Sequence, residues 1–343
     1  MRAARVLGLV LLTLLLLLAS AWAALALWFQ VPGTARLAAV TAWTLFALLV
    51  LLWLWRAQAG PALLLYVAAF AAILVWWHGI RPSNARVWAD DVAEQLYSEV
   101  DGDRVTLHKV RNFVWRTRED YDVRWETRQY SLSALRSVDV VLSYWMGPAI
   151  SHTLVSFGFA DGRYLTFSVE IRKEKGEAYS ALGGFFKRFE LNLIAADERD
   201  IIRVRSNVRG EDVYLYRVAM PPAAMRSLFL AYLAEAESLR ARPAWYNTAT
   251  ANCTTIVFEM MRHIVAGLPL DYRLLLSGYL PEYLHKVGGL TPGYTAAQLR
   301  GAGRIDERAR AADSAADFSQ RIRAGVPGVD ALQSVAPPPV EPK

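Results

Sequence analysis

Cys253 is the only cysteine in 343 residues, which excludes an intrachain disulfide and any multi-cysteine metal or redox site. It follows Tyr246-Asn247-Thr248-Ala249-Thr250-Ala251-Asn252 and directly precedes an apolar helical pattern, Ile256, Val257, Met260, Met261 and Ile264. Asn252 or Thr250 is a natural N-cap for that helix. A thiol in a first helical turn feels the positive end of the dipole and exposed backbone N–H groups, which stabilise thiolate. The same N–H groups can hold an oxyanion. Offsets of three and four residues to Ile256 and Val257 turn Cys253 toward the core side of the helix. The plainer alternative is packing, since free cysteine is among the most buried residue types.

A thiol nucleophile needs a base, and five histidines are available. His78 lies at the edge of an apolar run, His108 in a charged strand, and His263 and His285 in exposed-looking helical or loop segments, so each reads as structural. His152 differs, because it opens the alternating strand Ser151 to Phe159, followed by Ala160-Asp161-Gly162 and a second strand from Arg163 to Ile171. A three-residue loop with Gly162 left-handed places His152 opposite Glu170, whereas a two-residue Asp-Gly loop places it opposite Ile171. The first register is preferred. It puts His152, Ser156 and Gly158 on one polar face with Thr166, Ser168 and Glu170, offering the imidazole a carboxylate or hydroxyl to orient it.

The elements around this pair begin with a membrane anchor. Hydrophobic residues make up 54% of the chain at a mean hydropathy of +0.20, too apolar for an ordinary soluble domain. Apolar runs at 6–28, 37–55 and 62–77 are long enough to suggest three spans, making residues 1–80 the anchor. Trp28, Trp53, Trp55, Trp76 and Trp77 sit at run ends, where indole rings favour the headgroup level. Arg2, Arg5 and Arg56 fall on one side and Arg36 on the other, placing the N-terminus in the cytoplasm and everything after residue 80 outside. A cleaved signal ending near Ala21-Trp22-Ala23 is the alternative for the first run, and it exports the same residues.

These four arginines are unaccompanied by acids, so only +2 of the net charge of +6 belongs to the remainder. Such a neutral balance, without any zinc-finger or RNA-binding signature, argues against nucleic acid as partner. Residues 81–308 are expected to form one α+β domain. Its helices are expected at Trp88 to Val100, at 222–240 and from Cys253. Its strands are expected at 104–111, 121–130, 138–144, 152–159, 163–171, 200–206 and 212–218. The Ala- and Pro-rich segment 309–343 reads as a tail, disordered in its last third. No metal or cofactor is expected, as the histidines and cysteine show no ligand spacing.

Over roughly residues 81–300 the sequence resembles the N-terminal periplasmic domain of Lnb-type lipoprotein N-acyltransferases. The resemblance rests on Arg111-Asn112-Phe113, Asp120-Tyr121-Asp122, Arg124-Trp125-Glu126, Ser143-Tyr144-Trp145, Ser151-His152-Thr153 and Arg172-Lys173-Glu174. It continues in the segments 179–186, 196–200 and 210–216, in Tyr246-Asn247 and in Asn252-Cys253-Thr254-Thr255. The family is similar to permuted papain-like thiol enzymes, in which histidine precedes cysteine. That resemblance implies an antiparallel sheet packed on helices and a catalytic Cys at a helix N-terminus. It further implies acyl transfer through a cysteine thioester, with a phospholipid as donor and the amino group of a lipoprotein's N-terminal cysteine as acceptor. In those acyltransferases the membrane helices follow the periplasmic domain, whereas here they precede it.

The resulting expectation is a multi-pass inner-membrane protein with a periplasmic thiol acyltransferase or hydrolase domain. Cys253 is the expected nucleophile and His152 the base, with Glu170 or Ser168 orienting the imidazole. Tyr144, Trp145, Gly183, Gly184, Tyr246 and Asn252, all in the matching segments, are the expected substrate-binding positions. An envelope amidase or peptidase using the same dyad is an alternative. So is a non-catalytic envelope module that binds a partner through Gly183-Gly184-Phe185-Phe186.

Overall fold

A computed structural model describes residues 2–56 and 59–329. The chain forms two compact units, the first comprising Met1–Ser83, Tyr179–Glu190 and Trp245–Thr248, and the second the remainder. In the first unit, α1 (Arg2–Gln30), α2 (Ala35–Arg56) and α3 (Ala59–Gly79) contain the three expected apolar runs, and each is long and apolar enough to cross a membrane. Several of their polar groups pair with one another, as an apolar surrounding favours. Ser20 Oγ pairs with Tyr66 OH at 2.8 Å, and Trp43 Nε1 donates to Ser20 O at 3.1 Å. Gln30 at the end of α1 donates to the carbonyls of Phe186 (2.7 Å) and Lys187 (2.8 Å), and Phe186 stacks on Phe29. The segment 179–190 is thereby tied to one end of the helices.

The second unit is built on a sheet whose first strands are β1 (Tyr97–Asp101) and β2 (Arg104–Arg111), followed by a separate small ribbon, β3 (Val114–Trp115) with β4 (Tyr121–Asp122). The main sheet continues with β5 (Trp125–Ser131), β6 (Leu135–Tyr144), β7 (Ser151–Phe159) and β8 (Tyr164–Arg172). After α4 (Ala181–Phe185) come β9 (Glu190–Ala196), α5 (Glu198–Ile201) and β10 (Asp212–Arg217). The strand order is β1-β2-β9-β8-β7-β6-β10, with β5 also on β2. β2 and β9 meet in parallel at Arg111↔Ala196, so the sheet is mixed rather than wholly antiparallel. Helices α6 (Pro222–Ala241) and α7 (Thr255–Ile264) form where periodicity and the Pro221-Pro222 start signal place them. They are followed by α8 (Leu280–Lys286), α9 (Ala296–Gly303), α10 (Asp306–Ala312) and α11 (Phe318–Arg321).

Both faces of the sheet are covered. On one, Phe157 and Phe167 pack against Phe229 and Tyr232 of α6, with ring centroids 4.7 Å apart for Phe167 and Tyr232. On the other, Val141, Leu154 and Val213 pack with Ile201, Ala309, Phe318, Ile322 and Val326. The supposed tail therefore belongs to the core through Val329, and a domain boundary after residue 308 would cut α10. The expected disorder of the last third lies outside the described residues.

Two local expectations also fail for physical reasons. Val92, Leu96 and Val100 have helical spacing, yet residues 88–100 contain a short 3-10 turn at Asp90–Val92 and then β1, where Val100 points out of an edge strand. Residues 200–206 are helical, because Asp197 caps α5 by accepting from Arg199 N, and a π-helical turn, Val204–Arg209, follows. Ile201 and Ile202 are both buried, which strand alternation onto a single face would forbid. The strand β9 went unread since all seven of its residues are buried, leaving no alternation to detect.

Candidate active site

The β7–β8 hairpin sets the first half of the site. Phe159 N donates to Arg163 O at 3.0 Å, Gly162 N donates to Phe159 O at 3.0 Å, and Gly162 has φ +82°. This is the three-residue loop. The ladder runs from Gly158↔Tyr164 to Leu154↔Ser168, which brings His152 level with Glu170. His152 Nε2 lies 2.7 Å from Ser168 Oγ and 3.2 Å from Glu170 Oε1, and Ser168 Oγ donates to the same Glu170 oxygen at 2.7 Å. A serine hydroxyl that spends its proton on the carboxylate must accept from Nε2–H, which leaves Nδ1 as the nitrogen for another partner.

The loop before α7 sets the second half. Asn252 Oδ1 accepts from Thr254 N (2.9 Å) and Thr255 N (3.0 Å), while Asn252 N donates to Thr255 Oγ1 at 2.9 Å. Asn252 thus fastens the helix start. Cys253 stands two residues before the first helical residue rather than within the first turn, and the N–H groups of Thr254 and Thr255 are already engaged by Asn252 instead of being open to an oxyanion. The buried thiol lies within electrostatic reach of the His152 imidazole and near the Thr153 N–H. Thr153 Oγ1 and Thr254 Oγ1 are 3.1 Å apart, pinning α7 to β7 beside the sulfur.

Electrostatics favour the ion pair. Burial is the largest single effect and opposes the charged imidazole, as does Arg205, but Glu170 and Cys253 together outweigh them, so His152 is pushed up to about 9. Burial likewise opposes the thiolate, yet the nearby imidazolium, followed by the donors around the sulfur, holds Cys253 below the usual thiol range. Burial would also raise Glu170, but His152 and Arg205 bring it well below the ordinary carboxylate range. Arg205 donates to Glu170 Oε1 at 2.9 Å and is nearly fully buried.

The structure thus joins His152, Ser168 and Glu170 by hydrogen bonds and sets the buried Cys253, next to Asn252, within electrostatic reach of the imidazole. The other histidines are held locally: His78 on Leu74 O, His108 on Thr127 and Glu99, His263 on Glu259 O and His285 on Tyr294 O. Tyr144 and Trp145 line a polar cleft of about 1320 Å³ that neither Cys253 nor His152 lines, and Tyr144 OH is committed to Gly278 O at 2.7 Å. Gly183, Gly184 and Tyr246 fall in the first unit. There the glycines answer a packing demand, since a Cβ on Gly184 would stand 2.2 Å from Thr248 Oγ1 and one on Gly183 2.8 Å from Arg188 Cδ.

Two residues of the site were not legible beforehand. Arg205 lay in a segment read as a strand. Tyr232 looked like one more apolar position of α6, but its hydroxyl is buried with no hydrogen-bond partner among the described residues. Burial first, and then the charge on Cys253, push its pKa up, so the phenol lies within electrostatic reach of the sulfur. Among the described residues no group of three or more His, Cys, Asp or Glu is placed to hold a metal ion.

No curated protein and no solved structure matches the chain. Over residues 121–278 the sequence matches the Lnb N-terminal periplasmic domain.

Proposed function

We propose that this protein is a membrane-anchored periplasmic thiol acyltransferase or hydrolase in which Cys253 is the nucleophile and His152 the proton carrier. The observation that carries the reading is the hydrogen-bonded line from His152 to Ser168 and Glu170 with the buried Cys253 thiol within electrostatic reach of the imidazole. The family match and the three apolar helices support a membrane-linked role of this kind, with a multi-pass inner-membrane topology and the C-terminal part in the periplasm. The order of histidine before cysteine fits a permuted papain-like enzyme.

In the first step the thiolate adds to an ester carbonyl carbon of the acyl donor, a C–S bond forms, and the C–O bond breaks as the leaving alkoxide takes the proton from the His152 imidazolium. An amine or water then attacks the thioester, giving its proton to His152, and the C–S bond breaks to restore thiolate. Glu170 and Ser168 orient the ring and Arg205 anchors Glu170. The unpartnered Tyr232 hydroxyl is our candidate donor to the oxyanion. A phospholipid donor and the amino terminus of a lipoprotein as acceptor are the substrates the family relationship favours. Incubation of the full-length protein with phospholipid should give an intact-protein mass increase of one acyl chain, mapped to Cys253 and removed by hydroxylamine. Acylation elsewhere, or none, would overturn the reading.

The pH profile follows from the same charges. Thiolate and imidazolium titrate as a pair, and the imidazolium needed to protonate the leaving group persists up to about pH 9. Turnover should therefore fall as pH rises through about 9, not near the ordinary histidine value of 6.5. The stability contributed by His152 has the same sign, being complete below its unfolded value and lost through the raised one. Iodoacetamide should alkylate Cys253 well below about pH 8, and His152→Ala should return that reaction to the ordinary thiol range.

A further inference from the structure

A second cavity, of about 530 Å³, begins at the residues that flank the nucleophile. Thr153, which follows His152 on β7, and Thr254, whose Oγ1 is 4.0 Å from Cys253 Sγ, both line it. From there the wall is Thr254, Val257, Met261 and Ile264, spaced three, four and three residues apart, so one stripe of the α7 segment faces the cavity for about 15 Å. Val155 and Leu228 stand among the residues lining it from β7 and α6. The lining contains no charged side chain, whereas the polar cleft near Tyr144 is lined by several. Its inner end is buried at Thr153 and Thr254, and the other end reaches the exposed Val265 and Ala266. Its volume is that of a small-molecule site rather than a packing defect.

We propose that this cavity holds the hydrocarbon chain of the acyl group carried as a thioester on Cys253, with Val257, Met261 and Ile264 measuring chain length. The proposal rests on the thiol acyl-transfer reading and adds to it where the chain lies and what limits it. An apolar pocket walled by the neighbours of the nucleophile fits a linear hydrocarbon, since a polar or charged acyl group would enter without a single charged partner.

The test uses the full-length protein in detergent and p-nitrophenyl esters of four and sixteen carbons, reading the Cys253 adduct by intact mass against time. Val257→Phe fills the cavity one turn from the sulfur and should slow acylation by the sixteen-carbon ester at least tenfold, with the four-carbon ester within about twofold of wild type. Ile264→Trp should shift the preference to shorter chains, and Ile264→Ala should relax it. Unchanged iodoacetamide alkylation of Cys253 in each variant shows that the site is folded. If chain-length preference stays unchanged while Cys253 is still acylated, the cavity proposal fails and the thiol chemistry stands, leaving the cavity to an apolar segment of a partner. If neither ester acylates wild-type Cys253, the chemistry itself fails and takes the proposal with it.

Discussion

Cys253→Ala and His152→Ala should each lower turnover by about a hundredfold to ten-thousandfold, and the double variant should be little worse than either. Non-additivity is the discriminating readout, because a thiolate without its imidazole loses the charge that stabilises it, and an imidazole without the thiolate has no reaction to serve. Glu170→Gln should cost less in turnover and move the alkaline limb instead: without the carboxylate, burial dominates His152 and the fall near pH 9 should slide toward neutrality. That shift separates a positioning role from a merely structural one. Arg205→Gln should move that limb the opposite way, upward, because the Arg205 cation opposes the imidazolium while Glu170 stays ionised. Full activity in Cys253→Ser would sink the mechanism, since an alcohol gains little from an environment arranged to hold thiolate.

The parts legible in the sequence are those with a local cause. The Asp161-Gly162 turn and the alternation on either side of it fix the β7–β8 register, and with it the pairing of His152 and Glu170. Three long apolar runs cannot be much other than helices in a membrane. What was hidden depends on tertiary cover. β9 is buried on both faces and so shows no period, and residues 309–329 look like a tail because alanine-rich helices carry little hydrophobic signal of their own. The motif residues Arg111 and Asp200 resemble site residues by type, yet they pair with each other in the core, where Asp200 also accepts from Phe113 N and Trp115 Nε1. Charged residues in a shared motif can thus record a fold requirement rather than chemistry.

The polar face of the hairpin exposes the largest consequence of that misreading. Ser156, Thr166 and Ser168 were read as a polar face opposite the core, but all three are buried, and Arg323 of the segment taken for a tail reaches Ser156. Thr166 Oγ1 has no partner among the described residues, but around Ser156 the partners that a buried polar face needs come from Arg323, 1% exposed. It donates to Glu198 Oε1 (2.6 Å) and Oε2 (2.7 Å) and to Asp139 Oδ2 (2.8 Å), with Tyr164 under its guanidinium. Arg217 donates to Asp139 at 2.5 Å and Ser156 to Glu198 at 2.5 Å. Arg323→Met preserves much of the volume but leaves Glu198 buried without a cation, so it should destabilise the domain by about 3–5 kcal/mol. Against a typical domain stability of about 5–15 kcal/mol, that loss lowers Tm by roughly 10 °C. Adding Glu198→Gln to Arg323→Met should recover part of it, because the orphaned charge is then gone, whereas Glu198→Gln alone should be destabilising. A Tm for Arg323→Met within about 2 °C of wild type would show that the C-terminal segment does not hold the sheet, and that the hairpin bearing His152 is stable without it.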